Sequence, residues 1–365
     1  MESADYLIVG SGLTGGVIAR LLSDAGREVL VVESRSHLGG NVYDYDHHSG
    51  IKVHAYGPHY FRCNSKEVWE FVNRFSKFYK YEALIKTLID GKIEDWPINA
   101  SFLNKLTPDQ RNLSIKESPQ NFEEGCLLKM PLTAYDKFVK GYTLKQWGVS
   151  PKILNVELAN RISVRKNHEN RLTPEHKFQA LPLGGYKSLM ENLFEDIPCK
   201  LNYRFKVDSH ELFYTKKLIF TGPIDEYFQF KFGNLQYRGQ MRETLYYPNI
   251  EYYQPYAQIN NPNHLKGSYI RTIEWKHFAL PEAIQSVEGT VITREYPFSP
   301  SLPDQFEYPF PDYENQLKYK QYRKLANKLN NVIICGRLGE YQYYDMDQAI
   351  ERAIVIAKKI LIDKC

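Results

Sequence analysis

The sequence predicts an α/β fold: a Rossmann-like β-α-β unit opens the chain, a mainly helical subdomain is inserted after it, and an antiparallel sheet follows. Three observations predict it. A glycine turn lies between an apolar strand and a helix within residues 6–40. Segment 132–145 reads as helix, and apolar residues recur at helical spacing over 350–361. Short runs at 217–221, 290–296 and 331–335 read as strands, the first two as parts of a substrate-side sheet.

The elements follow in chain order. Residues 6–9 form a strand, Gly10-Ser11-Gly12-Leu13-Thr14-Gly15 a turn, 17–24 a helix and 28–33 a second strand. A G-x-G-x-x-G pattern is weak alone, but here it follows a strand, opens a helix, and has an acidic residue ending the next strand. Gly10 permits the tight turn, Gly12 lets backbone approach a pyrophosphate, and Gly15 allows close helix-strand packing. The helix N-terminus, with Leu13 and Thr14, supplies unpaired N–H groups to the anion. Glu33 accepts from a ribose hydroxyl, with Ser34 beside it in the same cofactor-binding set.

Arg35-Ser36-His37-Leu38-Gly39-Gly40-Asn41 adds a second glycine pair just past the acidic residue. On its residues alone it reads as a second phosphate-facing turn or as a simple reversal of the chain. The continuation resembles the FAD-binding fold of amine oxidases and related flavoproteins. That resemblance favours FAD over a nicotinamide and adds Gly40 and Asn41 to the cofactor set.

Residues 65–150 read as the helical subdomain, including a polar, turn-rich stretch at 106–124. Residues 150–177 hold Arg161, Arg165 and Arg171 with little periodicity. They read as a mobile loop over a cleft or as an ordinary solvated, charge-rich loop. Residues 241–324 are assigned to the substrate-side sheet region. The FAD-binding domain is expected to be discontinuous, from 1–64, 180–240 and 325–365. Its last strand delivers Gly336 and Arg337. Asp345 and Asp347, at the start of the final helix, suit N-capping and the helix dipole, and that N-terminus also suits an anionic flavin ring.

Composition narrows the function. The chain has 365 residues, 43% of them hydrophobic, which is long for one compact domain and predicts subdomains around a cleft. Forty-seven basic against 43 acidic residues, without a basic stripe, argue against nucleic acid as a partner. No apolar run is long enough to span a bilayer, and the N-terminus lacks signal-peptide character, so a soluble, cytoplasmic protein is expected. Five scattered cysteines, Cys63, Cys126, Cys199, Cys335 and Cys365, suggest neither a disulfide framework nor a metal site.

Five segments then carry a longer resemblance: GYTLKQWG at 141–148, PLGGY at 182–186, FTGPID at 220–225, IEWKHF at 273–278 and GRLGEYQYYDMDQ at 336–348. In this order, over nearly the whole chain, they resemble the UDP-galactopyranose mutase family. The resemblance implies an isomerase that interconverts the pyranose and furanose forms of a nucleotide-diphosphate sugar, feeding galactofuranose into polysaccharide biosynthesis. It implies FAD active as FADH⁻, whose N5 displaces the diphosphate from the anomeric carbon, with NAD(P)H as external reductant and a homodimer as the assembly.

Residue by residue, the resemblance makes Arg161 and Arg271 the diphosphate clamp and His59 the histidine beside the flavin N5. Tyr308 and Tyr343 match phosphate-contacting tyrosines, Tyr142 a base-stacking ring and Trp147 a tryptophan beside the loop. Asn99 joins the substrate set, and Gly336, Arg337, Tyr344, Asp345 and Met346 the cofactor set. The chain departs from the family near the sugar. Gly57-Pro58-His59-Tyr60-Phe61-Arg62 replaces a common Gly-Ala-His-Ile-Phe-His, and Leu172 stands where a tyrosine is usual. The donor sugar therefore stays open among UDP-galactose, UDP-N-acetylgalactosamine and dTDP-fucose. The rival readings are an amine-oxidase-like FAD oxidoreductase and an idle nucleotide-sugar binder.

Overall fold

Near-continuous apolar runs can be buried on both faces, and parallel sheets require such strands. In a computed structural model that describes residues 2–111, 118–208 and 213–362, those runs form a five-stranded parallel sheet. Its order is Cys199–Lys200, Val29–Val32, Glu2–Val9, Phe213–Phe220 and Val332–Ile334. Helix Leu13–Asp24 buries Val17, Ile18 and Leu22 in the core beside this sheet. Helix Met346–Ile362 packs there too, through Ile350, Ala353, Ile354, Ala357 and Ile360, at the spacing read from the sequence.

Two expectations about strands need correction. The strand at 217–221 does not belong to the substrate-side sheet. As part of Phe213–Phe220 it pairs in parallel with Glu2–Val9, with Leu218, Ile219 and Phe220 buried. The stretch expected to be helical also contributes strands. Ile85–Ile89 and Lys92–Trp96 form a hairpin across Asp90 and Gly91, both at positive φ (50° and 79°). Asp-Gly is a strong signal for such a turn, and it was present in the sequence.

That hairpin completes a seven-stranded sheet ordered Tyr308–Pro309, Tyr237–Tyr247, Thr290–Phe298, Arg271–Glu274, Gln258–Asn260, Ile85–Ile89 and Lys92–Trp96. All of its pairs are antiparallel except Gln258–Asn260 with Ile85–Ile89. A smaller sheet of Phe61–Cys63, Phe178–Pro182 and Phe78–Lys80 also forms.

The helical layer has its own core of Phe102, Phe122, Met130, Tyr135, Phe138 and Val139. Its central helix runs from Leu132–Ala134 through a wider π-type stretch, Tyr135–Lys140, into Gly141–Trp147. Such wide turns re-aim the next side chains, and Tyr142 follows directly. Of the polar stretch 106–124, residues 112–117 lie outside the described residues. The segment after the helix holds two short helical turns, Pro151–Ile153 and Val156–Arg161. Beyond them Arg165 N–H donates to the Ile98 carbonyl and Leu172 N–H to that of Ala83, both at 2.8 Å. The Arg165 guanidinium donates to the carbonyls of Glu169 (3.2 Å) and Leu172 (2.9 Å). Within the segment 150–177, Arg165 and Leu172 are thus hydrogen-bonded through their backbone to neighbouring parts of the chain.

Cys63, Cys126, Cys199 and Cys335 are unpaired, and Cys365 lies outside the described residues. Among the described residues no helix is long and apolar enough to cross a membrane.

Candidate active site

A cavity of about 460 Å³ opens over the C-terminal ends of the parallel strands, where Val9, Val32, Phe220 and Gly336 line it. Open α/β sheets bind ligands at this edge. Gly10 adopts φ +100°, and a Cβ there would sit 2.2 Å from Thr221 Oγ1. A Cβ on Gly15 would fall 2.0 Å from the Gly10 carbonyl oxygen. A Cβ on Gly12 would meet nothing within 4 Å, so this backbone faces open cavity. Gly12 is also the N-cap of helix Leu13–Asp24 and offers no side chain to it. The N–H groups of the first turn are left for an anion.

Glu33 closes one wall of this cavity and is almost fully buried. It accepts from Ser11 N–H (2.8 Å) and Oγ–H (2.7 Å) on one oxygen, and from Ser34 Oγ–H (3.2 Å) and Arg35 N–H (2.9 Å) on the other. A ribose hydroxyl would take the place of the longest of these, and Ser34 already has Asp304 Oδ1 as a second acceptor at 3.1 Å. Leu13, Thr14, Gly40, Asn41, His59, Arg337, Tyr344 and Met346 line the same cavity. Asp345 does not. Its carboxylate takes a hydrogen bond from Arg62 (2.9 Å), and its N–H donates to the Gln348 side chain (3.0 Å), which fixes it as the entry to the final helix.

The other half of the site is built by register. Arg242 lies opposite Glu295, Glu295 opposite Arg271, Arg271 opposite Asn260, and Asn260 opposite Thr87. These five side chains therefore cross the large sheet in one rank. Glu295 is fully buried between two guanidinium groups, accepting from Arg271 Nε (2.5 Å) and Arg242 Nε (3.1 Å). Arg242 also binds both oxygens of Glu307, at 2.8 and 2.9 Å. Burial alone would push the Arg271 pKa down and that of Glu295 up. Their mutual charge outweighs this, holding Arg271 well above and Glu295 below the ordinary range. The chain passes over the rank at Gly57, at φ +88°, where a Cβ would lie 2.5 Å from Glu295 Oε1.

Two further arginines join this group. Arg161 lies 3.7 Å over the Tyr343 ring and Arg337 4.7 Å from its centroid, while Tyr308 stacks on Tyr343 at 5.7 Å. Arg337 also lines the cavity, so cavity and rank form one cleft. Four guanidinium groups meet two carboxylates here, leaving two positive charges uncompensated within the group.

His59 stands at the junction. Its backbone N–H donates to His54 Nδ1 (3.1 Å), and its own Nδ1 is 2.8 Å from the Gly57 carbonyl. Burial, with Arg337 and Arg242 nearby, pushes its pKa down to about 4, although the Gly57 bond opposes this. The ring is neutral at pH 7, with Nδ1–H donating to Gly57 and Nε2 left as an acceptor.

Of the remaining expected substrate residues, Tyr142 comes to this cluster: it is half-buried and lies in the fields of Arg271, Glu295, Arg161 and Tyr343. Trp147 packs edge-on to Phe310 at 5.8 Å, against the helical core. Asn99 is fully buried, caps a helix through Ser101 N–H (2.9 Å) and donates to Asp95 (2.9 Å), so its amide is occupied by the fold. Arg242, Glu295, Glu307 and Gly57 were not singled out as site residues. Alternation shows that a strand residue faces a core but not which distant strand supplies its neighbour.

The UDP-galactopyranose mutase family model matches residues 137–343, and an NAD(P)-binding Rossmann-like domain model matches 8–75. The chain is 32% identical to a probable UDP-galactopyranose mutase of Klebsiella pneumoniae, over 99% of this chain and 96% of that protein. It belongs to the UDP-galactopyranose mutase family. Membership makes it an isomerase, a sugar-nucleotide pyranose mutase. It is also 32% identical to the dTDP-fucopyranose mutase of Escherichia coli, over 96% of this chain and 97% of that one. A crystal structure of reduced UDP-galactopyranose mutase superposes with a TM-score of 0.78 over 98% of this chain and 95% of that one, at 14% identity. The mutase family's fold thus spans both the cavity and the arginine rank.

Proposed function

We propose that this mutase interconverts the pyranose and furanose forms of a UDP-galactose-type nucleotide sugar and requires reduced FAD. The observation that carries the reading is the excess of two positive charges in the arginine group directly beside the cofactor cavity. A nucleoside diphosphate leaving group carries the opposite sign of charge in comparable amount. The glycine turn, the uncapped helix start and Glu33 fit the pyrophosphate and ribose of FAD, and Gly12 leaves open the space that such a group needs. Bound and reduced, the flavin supplies a nucleophile for the anomeric carbon, with NAD(P)H as external reductant and no net redox change.

The chain's own residues hold and orient. Arg161 and Arg271 clamp the diphosphate through planar forks whose bonds strengthen as charge grows on the leaving oxygen. Glu295 keeps Arg271 charged and aimed, while Tyr308 and Tyr343 offer hydroxyl donors to phosphate oxygens. Tyr142 stacks on the base. His59, neutral, adds no positive charge to compete for the diphosphate and presents Nε2 as an acceptor.

Similar identity to a dTDP-fucopyranose mutase favours a second donor, dTDP-fucose, for the same chemistry. The test reduces the purified protein with dithionite and follows furanose formation from UDP-galactose, UDP-N-acetylgalactosamine and dTDP-fucose in parallel. Product from one donor, only with reduced flavin and without consumption of an electron acceptor, is expected. No product from any donor would overturn the reading. Arg161→Ala should cut kcat by roughly 10²–10³-fold while costing no more than about 1 kcal/mol of stability, since the folded-state contact it removes is the one with the Tyr343 ring.

A further inference from the structure

Two consecutive residues on the cavity wall, Gln229 and Phe230, hold left-handed backbone, at φ 49° and 56°. They close the short helix Ile224–Tyr227: Gln229 N–H donates to the Glu226 carbonyl (3.0 Å) and Phe230 N–H to that of Asp225 (2.8 Å). In this closure glycine ordinarily takes the left-handed position, because it does so without strain. Keeping side chains at both positions needs a reason. For Gln229 the fold supplies one, since its amide donates to Asp208 Oδ1 at 3.3 Å. For Phe230 it supplies none. The side chain is 46% exposed, belongs to no apolar core, and makes no ring contact among the described residues. A bulky residue that is strained, exposed and set on a cavity wall points to a ligand.

The cavity identifies the ligand class. Its glycine turn suits a diphosphate and Glu33 a ribose, while Tyr203, Phe205, Tyr227 and Phe230 also line it and give it an aromatic wall. We propose, building on the flavin reading above, that Phe230 is a stacking residue for the adenine of the cofactor, aimed by this strained turn.

The test compares wild type with Phe230→Ala and Phe230→Tyr in three ligand titrations of flavin-stripped protein. FAD and ADP both carry adenine, and FMN lacks it. Phe230→Ala should weaken FAD and ADP by roughly 5- to 100-fold, leave FMN unchanged, and release flavin faster from the holoprotein on ultrafiltration. Phe230→Tyr should restore both. Equal affinity of Phe230→Ala and wild type for FAD and ADP, or an equal loss for FMN, would overturn the role of Phe230. A wild type that takes up neither FAD nor ADP would overturn the flavin reading itself.

Discussion

The glycine turn and the arginine rank are both suited to a diphosphate, but they are built on opposite terms. The turn uses six consecutive residues, offers backbone N–H groups, and works because atoms are absent. The rank, with the two arginines that join it, gathers side chains from residues 161, 242, 271 and 337 through strand register and packing, and works because charges are present and countered. The turn cannot accept an added atom at Gly10 or Gly15. The rank cannot lose one at Glu295.

The largest effect is therefore expected in the rank. Glu295→Ala leaves the Arg242 and Arg271 guanidinium groups beside each other with their shared counter-charge gone. Breaking a buried pair in this way costs about 3–5 kcal/mol. Urea unfolding should show that loss, and kcat should fall more than KM rises because Arg271 is no longer aimed. A stability loss below about 0.5 kcal/mol would mean that the rank is not electrostatically closed.

The turn should separate two roles that the rank merges. Gly15→Ala forces a methyl to within 2.0 Å of the Gly10 carbonyl and should cost about 1–3 kcal/mol as overpacking. Gly12→Ala has open space around it and should change apoprotein stability by less than about 1 kcal/mol. It should nevertheless lose flavin, because its methyl projects into the cavity. Flavin absorbance and thermal midpoints of both variants check this; a Gly12→Ala protein with full flavin would break the contrast.

The same difference explains what the sequence made legible. Gly10 to Gly15, Glu33 and the Ile350 to Ile360 stripe carry their reasons within a few neighbours, so spacing alone located them. Arg271 and Arg161 were reached only through resemblance to a family, since an arginine in a strand or a loop has no local signature. Glu295 and Arg242 had neither kind of signal, because their meaning lies in facing residues 24 to 53 positions away. The Asp90-Gly91 hairpin is a different case: the local signal was present, and a helical reading of the surrounding segment hid it. Asn99 shows the reverse, as a residue brought forward by resemblance whose amide the fold has already used.

Acid should strike the junction of the two regions. His59 has a folded pKa near 4, pushed down by burial, and burial puts His54 well below its ordinary value too. Between about pH 6.5 and 4 the unfolded chain therefore binds more protons than the folded one, and stability falls as pH falls. For His59 alone the loss reaches about 3 kcal/mol by pH 4. His59→Asn should flatten that part of the urea-stability profile; an unchanged slope would place the acid sensitivity elsewhere.

The smallest effect belongs to Arg62, where this chain differs from its family's common histidine. Its guanidinium reaches Asp345 at 2.9 Å, but the two side chains keep 20% and 31% of their exposure, so solvent screens the pair. Asp345 also enters the final helix at its positive end, which stabilises a carboxylate without Arg62. Arg62→His should therefore cost no more than about 1 kcal/mol at pH 8, where the imidazole is neutral. At pH 5.5 the imidazole is charged and the variant should approach wild type. Taking the difference between variant and wild type at each pH removes the acid effect of His59. A loss that is larger, or the same at both pH values, would show that Arg62 holds the Asp345 corner by shape rather than by charge, as the glycine turn does.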